Sequence, residues 1–122
     1  MNSVHNLIDF VQQSLEKQGV KSCLSEDSYL DRQYCMYKDP RGNKCAVGHL
    51  IPVSKYRSVM EDMDASKLCI KYPSVLDSIR WKYKLTEDFD LKLLLEQLQE
   101  IHDHFEPREW GHKLKALKDE YA

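Results

Sequence analysis

The chain has 122 residues, 42% hydrophobic and 31% charged, with a formal net charge of −2 at pH 7. This length and balance describe one globular domain over residues 1–122, with no room for a second core. Eighteen basic against twenty acidic side chains argue against bulk polyelectrolyte binding, and no apolar run reaches the roughly 20 residues of a membrane span.

The first helix is expected over residues 4–18, where Val4, Leu7, Ile8, Val11 and Leu15 recur at helical spacing. Ser3 is placed to cap it, and Gly19 is its natural stop. Residues 20–32 read as a polar connection, with Leu24 and Leu30 among its few aliphatic groups. Residues 33–46 read as a short β-hairpin. Its turn is Asp39-Pro40-Arg41-Gly42, with proline presetting φ at the second place and glycine at the fourth. The stretch from Ala46 to Ile51 has room for one or two helical turns before Pro52. Residues 52–73 read as irregular, with a helical turn near 54–60.

Pro73 suits a first helical position, and Val75, Leu76 and Ile79 then share a side. The next helix is expected over residues 86–106, capped by Thr86, with Leu91, Leu94, Leu95, Leu98, Ile101, His102 and Phe105 on one stripe. A last helix opens at Pro107 and carries Trp110, Leu114, Leu117 and Tyr121. The expected fold class is mainly α (α+β), a compact bundle of about four helices with one small β-hairpin.

The start, Met1-Asn2-Ser3-Val4-His5-Asn6, lacks the basic and apolar regions of a secretion signal, so a cytoplasmic location is expected. Cys23, Cys35, Cys45 and Cys69 contain no C-x-x-C pair and are expected to stay as thiols there. Two chemical sets can nevertheless be drawn. Cys45 behind Lys44 at a helix start, with His102 as base, could act as a thiol hydrolase or transferase. Asp103 follows His102 directly and should project about 100° away from it on a helix, too far to orient the ring. Cys35, Cys45, His49 and His102 could instead form a tetrahedral Cys2His2 zinc set. The simpler reading makes Cys45 a small core residue and His102 an inward histidine, with no catalytic residue, metal or cofactor.

Charge is uneven along the chain. Residues 86–106 hold seven acids against Lys92, whereas residues 38–57 hold five basic groups against Asp39. Arg80-Trp81-Lys82-Tyr83-Lys84 interleaves basic and aromatic residues as nucleic-acid binders do, but Trp81 and Tyr83 are more readily core or rim aromatics. Nucleic acid is therefore disfavoured. No P-loop, dinucleotide fingerprint or H-E-x-x-H occurs, and Gly48-His49-Leu50-Ile51-Pro52 lacks the second ligand of a ββα-metal nuclease.

Cys35-Met36-Tyr37-Lys38, Gly42-Asn43-Lys44-Cys45-Ala46-Val47-Gly48-His49-Leu50-Ile51-Pro52, Tyr56, Met60-Glu61, Leu98-Gln99-Glu100-Ile101-His102-Asp103 and Trp110 form a pattern spanning most of the chain. It resembles an uncharacterised family of small proteins encoded by tailed bacteriophages and prophages. The chain departs from that pattern at Lys38, Val53 and Asp62, which stand for an arginine, an acid and a glycine. The resemblance implies a small protein that acts by binding: inhibiting a host enzyme, neutralising a defence component or sequestering a signalling ligand. The expected partner is a host protein or a small anionic ligand, and the chain is expected to be a monomer or homodimer. The surface expected to bind is the hairpin and its basic flank, with Arg41, Lys44, His49, Lys55, Tyr56 and Arg57.

Overall fold

A computed structural model of the chain describes residues 3–23 and 35–121. The described residues form six α-helices: α1 (Ser3–Gln18), α2 (Ala46–Leu50), α3 (Ala65–Lys71), α4 (Pro73–Tyr83), α5 (Leu91–His104) and α6 (Pro107–Glu120). Two 3₁₀ turns, Val53–Lys55 and Ser58–Asp62, lie between α2 and α3. Leu24 and Leu30 of the expected polar connection lie outside the described residues. Among the described residues no helix is long and apolar enough to cross a membrane.

The bundle is built around α5. Its Leu91, Leu94, Leu95, Leu98 and Ile101 are buried, and α2, α3, α4 and α6 all pack against it. The α1 stripe of Leu7, Ile8, Val11 and Leu15 is wholly enclosed and, as α1 packs on α6, joins one core with Trp110, Leu114 and Leu117. The period of the apolar residues thus becomes a buried seam on each long helix. Gly19 closes α1 at φ +76°, its N–H bonding the Leu15 carbonyl at 2.8 Å.

This architecture corrects the expectation of about four helices and a hairpin. No described residue lies in a β-strand; two isolated antiparallel bridges, Cys23–Cys35 and Lys38–Lys44, are the whole of the pairing among them. The tight turn itself is present. Gly42 N–H donates to the Asp39 carbonyl at 3.0 Å, and Gly42 sits at φ +90°. Pairing stops where a side chain takes the Tyr37 N–H, the donor that the next ladder step would use; the N–H groups of Lys38 and Lys44 face outward from their bridge and are taken by side chains as well. Glu61 accepts from the N–H groups of Tyr37 (2.8 Å) and Lys38 (3.1 Å), and Gln18 accepts from Lys44 N–H (2.8 Å). The chain then turns at once into α2, whose N-cap is Cys45.

Two helix starts also differ. Thr86 begins a turn rather than a helix, its carbonyl accepting from Phe89 N–H at 3.2 Å, and Asp90 caps α5 by accepting from Leu93 N–H at 3.0 Å. Where two cap-type residues compete, the one next to the buried leucine stripe holds the start. The stretch expected to be irregular holds α3, capped by Asp64 through Lys67 N–H at 2.8 Å. Ser3 already lies inside α1 rather than capping it.

α2 approaches the Tyr37 backbone so closely that a Cβ on Gly48 would sit 1.9 Å from the Tyr37 carbonyl oxygen. Gly48→Ala should therefore destabilise the fold by about 3 kcal/mol or more, as overpacking against immobile backbone does. At Gly111, in mid-α6, the only close neighbour under 3.0 Å is the mobile Glu16 carboxylate at 2.8 Å. Gly111→Ala should be neutral or gain up to about 1 kcal/mol from helix propensity. Urea midpoints of the two variants measure the contrast; equal midpoints would contradict this packing.

Candidate metal centre

His102 extends the apolar stripe of α5 to its last turn and is completely buried. Its ring stacks on Trp110 of α6, centroids 5.4 Å apart and planes 21° apart. Ser22 N–H donates to Nε2 at 3.1 Å, so Nε2 carries the lone pair and the proton sits on Nδ1. Nδ1–H then donates to Asp103 Oδ1 at 2.8 Å. This corrects the expectation that Asp103 could not reach the ring. Nδ1 is the nitrogen nearer the main chain, and a short carboxylate on the next residue can fold back to it.

Cys35 completes the group. One donor atom from each of Cys35, His102 and Asp103 lies within 4.8 Å of the other two. Cys35 hydrogen-bonds the Asp103 carboxylate, and burial together with that carboxylate pushes its thiol up to about 12. Asp103 Oδ1 also accepts from Gln99 Nε2 at 3.0 Å, and its main-chain carbonyl accepts from the buried Lys21 at 3.3 Å. Asp103 also lines a cleft of about 450 Å³ shared with Asp64, Glu96, Gln99, Glu100 and His104.

Of the four residues expected as a zinc set, the structure brings Cys35 and His102 together and leaves Cys45 and His49 elsewhere. Cys45 is enclosed in the core, its Sγ accepts from Gly48 N–H at 3.2 Å, and burial drives its thiol far up. It reaches the centre through Gln99, which hydrogen-bonds it and donates to Asp103, and through the charge of Asp103. His49 packs instead on Gln18, with Nε2 3.1 Å from Gln18 Oε1. Asp103 is the ligand-type residue that sequence reasoning set aside; its adjacency to His102 was the signal. None of the four cysteines is in a disulfide.

The expected basic surface divides. Arg41 is committed to the turn, donating to the Cys23 carbonyl at 2.8 Å and to Asp39 at 3.2 Å. Arg57 bonds the carbonyls of Ser54 and Tyr56, and the Tyr56 hydroxyl donates to Glu61 at 2.6 Å. Lys55 lines neither of the cavities beside Lys44. Lys44 and His49 do share a cavity, with Lys82 of α4. Trp81, expected at a core or rim, projects outward and is 86% exposed.

Comparison with known proteins adds no assignment: no family model matches the chain, and no curated protein or solved structure matches it.

Burial, then the Lys44 ammonium and His102, lower His49 from its ordinary 6.5 to about 4. Between those values the unfolded chain takes up a proton that the folded chain refuses. Stability is therefore complete above about pH 6.5 and is lost as pH falls toward about 4. Solvent reaches part of the ring and screens the charge, so the loss should be about 1 kcal/mol. His49→Gln, which keeps a donor for Gln18, should lose less stability than wild type between pH 7 and pH 4.5. Parallel urea curves at both pH values test this; identical losses would refute it.

Proposed function

We propose that this chain is a metal-stapled helical module in which Cys35, His102 and Asp103 hold one transition-metal ion. The observation that carries the proposal is the convergence of the Cys35 thiol with the imidazole and carboxylate of the neighbouring residues His102 and Asp103, far along the chain, within 4.8 Å. A mixed sulfur, nitrogen and oxygen set suits zinc, whose structural and catalytic sites both draw on these donors. Three protein donors would leave a fourth ligand to water, the pattern of catalytic zinc sites, whereas structural sites are closed by four protein ligands. The role we assign is nonetheless structural, because the imidazole is fully enclosed and a bound ion would tie Cys35 to the end of α5.

The Nδ1–H of His102 and the thiol of Cys35 both converge on Asp103. A divalent ion held by Cys35, Asp103 and Nδ1 of His102 would require the Cys35 thiol to give up its proton and the imidazole proton to lie on Nε2. Ser22 N–H must then give up its acceptor, since a metal-bound histidine normally donates from its other nitrogen.

A thiol nucleophile at Cys45 has less support. Its sulfur is enclosed and capped by Gly48 N–H, and both nitrogens of His102 are committed elsewhere. The resemblance to phage- and prophage-encoded proteins supplies the setting of the proposal, a module that acts by binding inside an infected bacterial cell.

Protein purified without a histidine tag should contain one zinc per chain, and cobalt substitution should give a thiolate-to-cobalt charge-transfer band. Cys35→Ser should abolish the band, and Asp103→Asn should weaken metal binding. A hundredfold excess of zinc over its dissociation constant should stabilise the fold by about 2.7 kcal/mol. Loading should also shift the Ser22 amide resonance. Zinc that neither binds stoichiometrically nor stabilises the fold would end the proposal.

A further inference from the structure

A second site lies apart from the metal centre. A cavity of about 320 Å³ is lined by Lys44 and His49 on one side, Ser78, Lys82 and Tyr83 of α4 on the other, and the Leu50–Val53 stretch between. A smaller recess beside it adds Lys38 and Tyr56 and shares Lys44, Ile51 and Val53. No carboxylate lines either space, although acids outnumber bases in the chain.

Two of the three ammonium groups lie over aromatic rings, the third rises from a clamped backbone, and none is neutralised by a carboxylate. Gln18 clamps the Lys44 backbone twice, accepting from its N–H at 2.8 Å and donating to its carbonyl at 2.9 Å. Lys82 Nζ lies over the rings of Phe10 (5.0 Å) and Tyr83 (5.6 Å), and Lys38 Nζ over Tyr56 (5.7 Å). None of the three makes an ion pair with a carboxylate among the described residues. Like-charged groups brought to one cavity repel one another, and a bound anion relieves that repulsion. The remaining lining is apolar or aromatic, and the volume is within the range of small-molecule pockets.

We propose that this cavity binds a small organic phosphate monoester, of mononucleotide size. Its dianionic phosphate sits between Lys44 and Lys82, and its flat or apolar part lies against Ile51, Pro52 and the Tyr83 ring. The larger cleft around Trp81 does not select an anion. Its lining mixes Asp77 and Glu87 with the lysines, and Arg80 is spent on the carbonyls of Thr86 and Phe89.

The test is an amide-resonance titration of the intact chain with adenosine 5′-monophosphate, adenosine and inorganic phosphate as separate probes. The monophosphate should give saturable shifts at residues 44, 49–53 and 78–83 at millimolar concentration or below. Each half-probe should bind at least about tenfold more weakly, because it satisfies only one part of the site. Lys44→Gln and Lys82→Gln should each weaken the monophosphate about tenfold, the usual scale of one charge-assisted contact. Lys82 is exposed and Lys44 half-buried, so retained thermal stability separates lost binding from lost fold; a variant that unfolds is replaced by the other. Zinc loading should leave the titration unchanged, so failure here and failure at the metal centre are read independently. No saturable shift, shifts that map elsewhere, or unchanged affinity in both folded variants would overturn the proposal.

Discussion

An irregular segment packed into a helical bundle must find partners for its backbone donors without a sheet to supply them, and an unpaired buried N–H is costly. Residues 20–23 and 35–45 meet this constraint with side chains from their surroundings. Asp39 accepts from the N–H groups of Cys23, Arg41 and Asn43; Glu61 from those of Tyr37 and Lys38; His102 from that of Ser22. Each acceptor anchors a different part of the segment to the turn or to a helix. The fold's distinctive chemistry follows from where those acceptors sit.

His102 illustrates the consequence. A buried imidazole in an all-apolar stripe would be unfavourable without partners, so the helix end that carries it must face a backbone donor and a carboxylate. Satisfying the ring draws residues 20–23 and Asp103 together, and Cys35 enters because it lies opposite Cys23 in the isolated bridge. The ligand set is thus a by-product of polar satisfaction around one histidine. Gln18 plays the corresponding part on the other side, bonding the Lys44 backbone and His49 and thereby setting the position of the lysine cavity.

The long helices were legible because their apolar residues recur at helical spacing and each buries that stripe: Leu7 to Leu15 on α1, Leu91 to Ile101 on α5, Trp110 to Leu117 on α6. The Asp39–Gly42 turn was legible from local chemistry alone. What misled was the step from a turn to a hairpin, because strand pairing depends on whether other donors and acceptors compete. Glu61 lies more than twenty residues away and gives no local sign of competing. α3 escaped notice because its buried Ala65, Leu68 and Cys69 make too short a stripe. In the K-C-A-V-G-H-L-I-P stretch, local chemistry explains much of the pattern: Cys45 caps α2 and Gly48 admits the Tyr37 backbone. The site was half legible. Cys35 and His102 were named from their donor types, but Cys45 and His49 sit at positions that only the three-dimensional packing of α2 could exclude.

The near-neutral composition concealed the electrostatics that matter most. A net charge of −2 averages a cleft of Asp64, Glu96, Glu100 and Asp103 with a cavity of Lys38, Lys44 and Lys82. The acidic group borders the centre assigned to a cation, and the basic group frames the space assigned to an anion. Local fields from such clusters, not the sum over the chain, set which ion approaches which face. Composition gives no argument for a polyelectrolyte mode of binding, and it says nothing against two separate sites of opposite sign. Each ligand would relieve repulsion at its own face.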